Sequence, residues 1–181
     1  MTSAEEVKTQ WGIDTTHSEV QFKVKHLVIA TVTGSFKKFS GSVETENEND
    51  FNNANVTFSI DANSIDTNQA DRDKHLKSPD FFNADEFPTI DFKGQLEKVG
   101  DSDYLLKGAL TIRGNSKPVE LTVEYGGTIK DPWGNIKAGF ELNGKINRKD
   151  FGLTWNAATE TGGLVVGEEV KLHLNVELAK S

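Results

Sequence analysis

The segment Ser64–Phe92, SIDTNQADRDKHLKSPDFFNADEFPTIDF, interrupts a chain whose other parts alternate apolar and polar residues. Its Asn68–Lys77 portion has no β-branched residue and places Asp71 four residues before His75. An acid four residues before a base stabilises a short helix, because the two side chains lie on the same helix face. The segment therefore predicts a helix within a chain that is otherwise composed of strands.

Capping signals flank this helix. Asp66 or Thr67 can cap its first turn, and Ser78–Asp80 has the pattern of a second helix start, with serine as N-cap and proline at the first helical position. A cluster of aromatic residues follows and predicts packing against an apolar surface: Phe81, Phe82 and Phe87. We predict a helical lid at about residues 66–84, laid over an all-β body.

On both sides of the lid, apolar residues recur at every second position, as in strands with one buried face. The clearest run is Val20–Val28, whose even-numbered residues share one face. The chain contains eight long runs of this kind and a short first one at Trp11–Ile13, which predicts an antiparallel barrel or sandwich. The parity changes between Phe36 and Phe39, so we predict a β-bulge near Lys37-Lys38.

Composition narrows the classes of partner. The 181 residues suit a single domain, and the net charge of −8 disfavours nucleic acid or an anionic membrane as the main partner. There is no cysteine, and no run approaches the roughly 18 apolar residues of a membrane span, so we expect no stable membrane insertion. The N-terminal MTSAEEVKTQ has no basic or apolar leader pattern, so we expect a cytoplasmic protein. An acidic, asparagine-rich run at 44–55 is predicted to be a solvated loop.

The inner face of the predicted body is rich in aromatic and aliphatic residues. Three central positions, Gly94, Gly108 and Gly144, either allow the strands to coil or leave volume for a ligand. An apolar lining under an aromatic lid suits a lipid, and a filled core is the alternative that the pattern leaves open. Strand parity predicts these lipid-contacting residues: Phe22, Val24, His26, Phe36, Phe58, Ile60, Phe92, Leu110, Phe140, Leu142, Leu172 and Leu174.

Polar chemistry is sparse in this pattern. His26 either forms a hydrogen bond in the core or contacts the head group of a ligand near the barrel mouth. No phosphate-binding loop, zinc-protease motif, calcium loop or serine-hydrolase motif occurs. Asp14 and His17 could form a metal or acid–base pair, but a turn between strands accounts for both. We expect no metal and no cofactor.

Several motifs occur together along the chain. They are Asp14-Thr-Thr-His17-Ser18, Gly34-x-Phe36, Arg72-Asp73-x-His75-Leu76-x-Ser78-x-Asp80-Phe81-Phe82, Pro88-Thr-Ile-x-Phe92, and Asn147-Arg148-x-Asp150-Phe151-Gly152-Leu153. In combination they resemble the YceI-like family of polyisoprenoid-binding, lipocalin-like proteins. The resemblance extends over about residues 10–180 and is most specific in the lid.

This resemblance implies one domain over residues 1–181, an extended eight-stranded antiparallel barrel that is lipocalin-like. It implies a polyisoprenoid or fatty-acyl type lipid in the lumen, a homodimer, and no catalysis. The alternative is an enzyme that acts on a lipophilic substrate at the barrel mouth. In that case His26, His75 and Arg148 are the candidates for acid–base or anion-contact groups.

Overall fold

A single antiparallel sheet contains the strands of the computed structural model, which describes residues 8–27, 29–156 and 166–181. In these ranges one α-helix and two short 3-10 turns, Ala62–Ser64 and Arg148–Phe151, accompany it. The elements are β1 (Thr9–Ile13), β2 (Glu19–His26), β3 (Ala30–Phe36), β4 (Phe39–Thr45), β5 (Asn55–Asp61), β6 (Ile65–Asp66), α1 (Ala70–Lys77), β7 (Thr89–Lys98), β8 (Asp103–Ile112), β9 (Asn115–Lys130), β10 (Ile136–Asn147) and β11 (Val166–Lys180). Within the described ranges, the helices are too short and too polar to cross a membrane.

The strand segments align to form the eight strands of one barrel. β1 and β2 lie end to end along β11, and β3 and β4 lie end to end along β2 and β1. β5 pairs with β4, and the two-residue β6 pairs with β3. Since β7 to β11 pair in sequence order and β11 pairs with β1, the sheet closes. The all-β, eight-stranded antiparallel barrel predicted from the sequence and its resemblance is confirmed.

The parity change after β3 takes place at a two-residue break, so the β-bulge predicted at Lys37-Lys38 is wrong in form. The Lys37 N–H donates to the Ser64 carbonyl at 3.1 Å, and the Lys38 carbonyl accepts from the Asp61 N–H at 2.9 Å. These bonds hold both lysines to the neighbouring β5–β6 connection. The chain can therefore reverse which face it buries without leaving its backbone groups unpaired.

Aromatic packing closes one end of the barrel. Phe51 is only 1% exposed, and its ring centroid lies 5.1 Å from that of Trp11, 5.0 Å from Phe140 and 5.5 Å from Tyr125. The Trp11 indole N–H donates to the Thr45 hydroxyl at 3.2 Å, so this buried polar group is satisfied. The run predicted to be a solvated loop thus contributes the aromatic plug of the closed end.

The lid helix starts later than its capping residues suggested. Gln69 is the N-cap, and its side-chain oxygen accepts from the Arg72 N–H at 2.6 Å. Thr67 does not cap the helix, because its hydroxyl accepts from Nε of the Arg72 side chain at 2.8 Å, while its N–H and hydroxyl donate to Asp73. The N-cap predicted at Asp66 or Thr67 is therefore wrong.

The second predicted helix start is also wrong. Ser78 caps the C-terminal end of α1, and its hydroxyl donates to the His75 carbonyl at 2.6 Å. The following residues, up to Glu86, form successive turns. These turns place Phe81 and Phe82 against the barrel, since Phe81 is buried and the Phe82 ring lies 5.9 Å from that of Phe36.

Candidate ligand-binding cavity

A long, narrow cavity runs inside the barrel. It follows β11 from Leu178, beside the closed end, back to Val166, and residues from every strand except β6 line it. Such a length of strand spans about 40 Å, and the usual tilt of barrel strands reduces this to a depth of about 30 Å. The volume of the cavity is about 210 Å³. For comparison, an apolar cavity of about 150 Å³ holds one benzene molecule. A cavity that is long and narrow in this way suits an extended chain.

Eleven of the twelve residues selected by strand parity line this cavity. They are Phe22, Val24, Phe36, Phe58, Ile60, Phe92, Leu110, Phe140, Leu142, Leu172 and Leu174. The same parity rule also finds neighbours that were not selected, among them Val119, Leu121, Ile146 and Val170. Their side chains make the wall almost entirely hydrocarbon and aromatic.

His26 does not line the cavity. It is the last residue of β2, is exposed, and pairs with Ala30 and Val166 at the end of the sheet. The inward position predicted for His26 is therefore wrong. Parity assigns a residue to a face, but at the end of β2, beside the hairpin tip, the side chain on that face is exposed. Val28, assigned to the same face, lies outside the described residues.

The inward glycines accommodate neighbouring groups rather than open volume. A Cβ on Gly144 would stand 2.1 Å from Cδ2 of Leu121, which already occupies the space. A Cβ on Gly94 would stand 2.4 Å from the Lys107 carbonyl oxygen and 2.8 Å from Cα of Gly108. Gly94 and Gly108 face each other in the β7–β8 pair, where the two backbones approach closely. Of the two explanations left open, close approach of coiled strands fits this pair, and volume for a ligand is wrong for all three glycines; at Gly144 the Leu121 side chain fills the space.

The lid contributes apolar residues to the cavity and an aromatic cluster beside it. Leu76, Phe81 and Phe82 line the cavity. The His75 ring lies 4.7 Å from that of Trp155 and 5.2 Å from that of Phe81, both edge-on. His75 Nε2 is 2.8 Å from a carboxylate oxygen of Asp80 on the exposed side. Ring packing and the contact with Asp80 thus hold His75 in the lid, and His75 is not among the cavity-lining residues.

Arg148 is the one buried charged residue of the cavity wall within the described ranges. Only 3% of it is exposed, and its guanidinium donates to four main-chain carbonyl oxygens. Those acceptors are Gly167 at 2.7 Å, Leu153 at 2.6 Å, Trp155 at 2.9 Å and Val166 at 3.2 Å. Burial lowers the pKa of Arg148 from its ordinary value. With its donors so engaged, Arg148 holds the 153–155 segment to the start of β11 and has little capacity left for a ligand.

A cluster of charges lies outside the cavity, where the β1–β2 connection meets β10 and β11. The ligand atoms of Asp14, His17 and Glu177 are within 4.8 Å of one another, a spacing that could hold a metal ion. The Lys137 ammonium already lies 2.9 Å from Asp14 and 3.8 Å from Glu177 and supplies the positive charge there. Hydrogen bonds from His17 and Lys137 hold the pKa of Asp14 well below its usual range, and Asp14 raises the pKa of His17. The cluster is an ion-pair network on the seam that closes the barrel.

A closed antiparallel barrel with an elongated apolar cavity, plugged at one end and covered by a short helical segment, defines a lipocalin-like barrel. The chain belongs to the YceI-like family, because the sequence model of the YceI-like domain matches residues 11–178. The UPF0312 protein of Staphylococcus aureus strain N315 is 38% identical over 174 residues, covering 96% of this chain and 99% of that protein.

Two solved structures share the fold. The Campylobacter jejuni YceI protein is 35% identical, with a TM-score of 0.71 over 86% of this chain and 88% of its own. A polyisoprenoid-binding domain from Saccharophagus degradans, implicated in plant cell wall breakdown, has a TM-score of 0.65 at 16% identity. That match covers 93% of this chain and 97% of the other. At this identity it supports the fold.

Proposed function

We propose that this protein holds one polyisoprenoid or similar long alkyl chain in the barrel cavity, for transport, storage or sequestration. The observation that carries the proposal is the shape and chemistry of the cavity: long, narrow and lined almost entirely by hydrocarbon. The polyisoprenoid-binding domain with the same fold supports this class of ligand.

Apolar burial alone can supply the affinity. Each CH₂ group that leaves water for the cavity contributes about 0.8 kcal/mol, so a long chain binds tightly without specific hydrogen bonds. A polar substrate, by contrast, would lose its hydrogen bonds to water and find few replacements on this wall. The lining therefore favours an alkyl chain over a sugar, a nucleotide or a peptide.

We propose binding without catalysis. The enzyme alternative relied on His26, His75 and Arg148 acting at the barrel mouth. His26 is outside the cavity lining, His75 packs edge-on against two aromatic rings and pairs with Asp80, and Arg148 donates to main-chain carbonyls. A cytoplasmic location stays a prediction from the sequence, and a homodimer stays what the resemblance implies; light scattering of the purified protein tests the dimer.

Native mass spectrometry of delipidated protein incubated with a polyprenol tests the proposal. We expect one lipid per chain for the parent protein. Leu174→Trp fills the cavity from β11, whereas Asn175→Trp adds the same ring at the exposed neighbouring position and is the matched control. We expect a folded Leu174→Trp protein that takes up less lipid and an Asn175→Trp protein that takes up as much as the parent. A parent that binds no polyprenol, or equal uptake by both variants, would contradict the proposal.

A further inference from the structure

The tip of the β2–β3 hairpin exposes large apolar side chains. Ile29 is 88% exposed and Leu27 is 40% exposed. Leu27 also has φ = +54°, a left-handed conformation that asparagine or glycine adopts at lower cost than leucine. Local stability therefore does not explain an exposed leucine here, and a contact made by the tip would.

Positive charge surrounds the same hairpin. Residues 20–43 contain four lysines and no aspartate or glutamate, in a chain whose net charge is −8. Lys23 and Lys25 are exposed on β2, and Lys171 of β11 lies directly opposite Lys23. Across residues 8–27, 29–156 and 166–181, none of these three lysines forms an ion pair. Lys25 instead donates to the Thr31 hydroxyl at 3.2 Å.

Nearby acids are already paired with other bases. At the start of β11, Glu168 lies 2.7 Å from Lys149, and Glu169 lies 3.8 Å from Lys145. Among the described residues the hairpin therefore keeps unpaired positive charge, and the net charge of −8, which by itself disfavours an anionic membrane, does not describe this end of the molecule. Such a charge distribution orients a protein with this end toward an anionic surface.

The tip also adjoins the cavity. Val24 and Val166 both line it, and Val166 pairs with His26 at the base of the tip. This is the end of the barrel away from the Phe51 plug. A surface held by the tip would therefore lie beside the end of the cavity that the lid covers.

We propose that this basic tip, comprising Lys23, Lys25, His26, Leu27 and Ile29, docks the protein onto an anionic phospholipid bilayer. The aliphatic side chains enter the interface, and the lysines contact lipid phosphates. A second copy is a poorer occupant, because a two-fold contact of tip with tip would bring like charges together. The inference goes beyond the proposed function and does not depend on which lipid the cavity holds.

Vesicle co-sedimentation of the full chain tests the docking. We compare phosphatidylcholine vesicles with vesicles containing about one third phosphatidylglycerol, at low and at physiological ionic strength. We expect binding to the anionic vesicles only, weakened by salt. Lys25→Gln should weaken it about five-fold, which corresponds to about 1 kcal/mol. Exposed Lys93 on β7 is the charge control, and Lys93→Gln should change binding by less than about two-fold.

The apolar contribution has its own variant and control. Leu27→Asn combined with Ile29→Ser should reduce vesicle binding about ten-fold or more while leaving the unfolding midpoint unchanged or higher, because asparagine tolerates the positive φ. Trp133 is 83% exposed in the β9–β10 turn at the other end of the barrel, and Trp133→Ser should leave binding unchanged.

Three results would overturn docking on a bilayer: no binding to anionic vesicles, an equal loss with Trp133→Ser, or self-association through the tip without vesicle binding. Lipid uptake into the cavity is measured separately by native mass spectrometry. Docking and cavity binding can therefore fail independently.

Discussion

Replacing Arg148 by methionine tests whether this buried cation stabilises the fold by holding residues 153–155 to the start of β11. The change keeps an unbranched side chain of similar reach but removes the donors to Leu153, Trp155, Val166 and Gly167. The Val166 carbonyl retains a second donor, the side-chain amide of Asn156 at 2.7 Å. Three carbonyls therefore lose the donor that Arg148 supplies.

The magnitude follows from those three groups. An unsatisfied buried carbonyl costs about 1–3 kcal/mol, and here only the bond to Leu153 is buried, whereas those to Trp155 and Gly167 are partly buried. The sum is also partly offset because the variant no longer buries a guanidinium whose pKa burial lowers. We expect Arg148→Met to lower the free energy of unfolding by about 3–5 kcal/mol. The free energy of unfolding of Arg148→Lys should lie between those of the parent and Arg148→Met, because an ammonium lacks the planar fork that reaches several carbonyls at once.

Urea unfolding of lipid-free protein measures this difference, and limited proteolysis shows whether the chain near Leu153 and Trp155 becomes easier to cleave. Arg113 is the matched control: it is half-buried and donates to only two carbonyls, at 3.1 and 3.4 Å. We expect Arg113→Met to cost about 1 kcal/mol. If Arg148→Met cost no more stability than Arg113→Met, this structural role of Arg148 would be refuted.

Two further predictions concern the packing of the inward glycines and the ion pairs at the seam. Gly144→Ala should destabilise the fold by about 1–3 kcal/mol, and by less in a Leu121→Val background that lacks the clashing methyl. Gly94→Ala should cost more stability, because its Cβ meets main chain; thermal unfolding that ranks the two variants equally would contradict this. Asp14→Asn should cost most stability between about pH 3.8 and 6.5, the ordinary pKa values of the two partners, as measured by chemical unfolding across pH. The pKa of Asp14 is lowered in the folded protein, so the stability that Asp14 contributes is lost as the pH falls through this lowered pKa. The pKa of His17 is raised, so the stability that His17 contributes is lost as the pH rises through this raised pKa. A cost that did not vary with pH would rule out the pair.

Local sequence pattern was sufficient for the strands and for most of the cavity wall. Side chains of a strand alternate between its faces as a consequence of backbone geometry, so apolar parity can be determined without the tertiary fold. That is why Phe22, Phe58 and Leu172 could be assigned to the inner face from the sequence. The lid could be assigned in the same way, since its helical spacing and its aromatic cluster are both local.

Tertiary structure decided the features that depend on height along the barrel and on partners distant in sequence. His26 has the correct parity but is exposed at the end of β2. Phe51 belongs to a polar, acidic run, yet it plugs the barrel because Trp11 and Phe140 surround that position. Arg148 is held by carbonyls of Leu153 and Trp155 and by those of Val166 and Gly167 at the start of β11. Strand alternation is a property of consecutive residues, whereas closure, depth and hydrogen-bond partners arise only when separate strands meet.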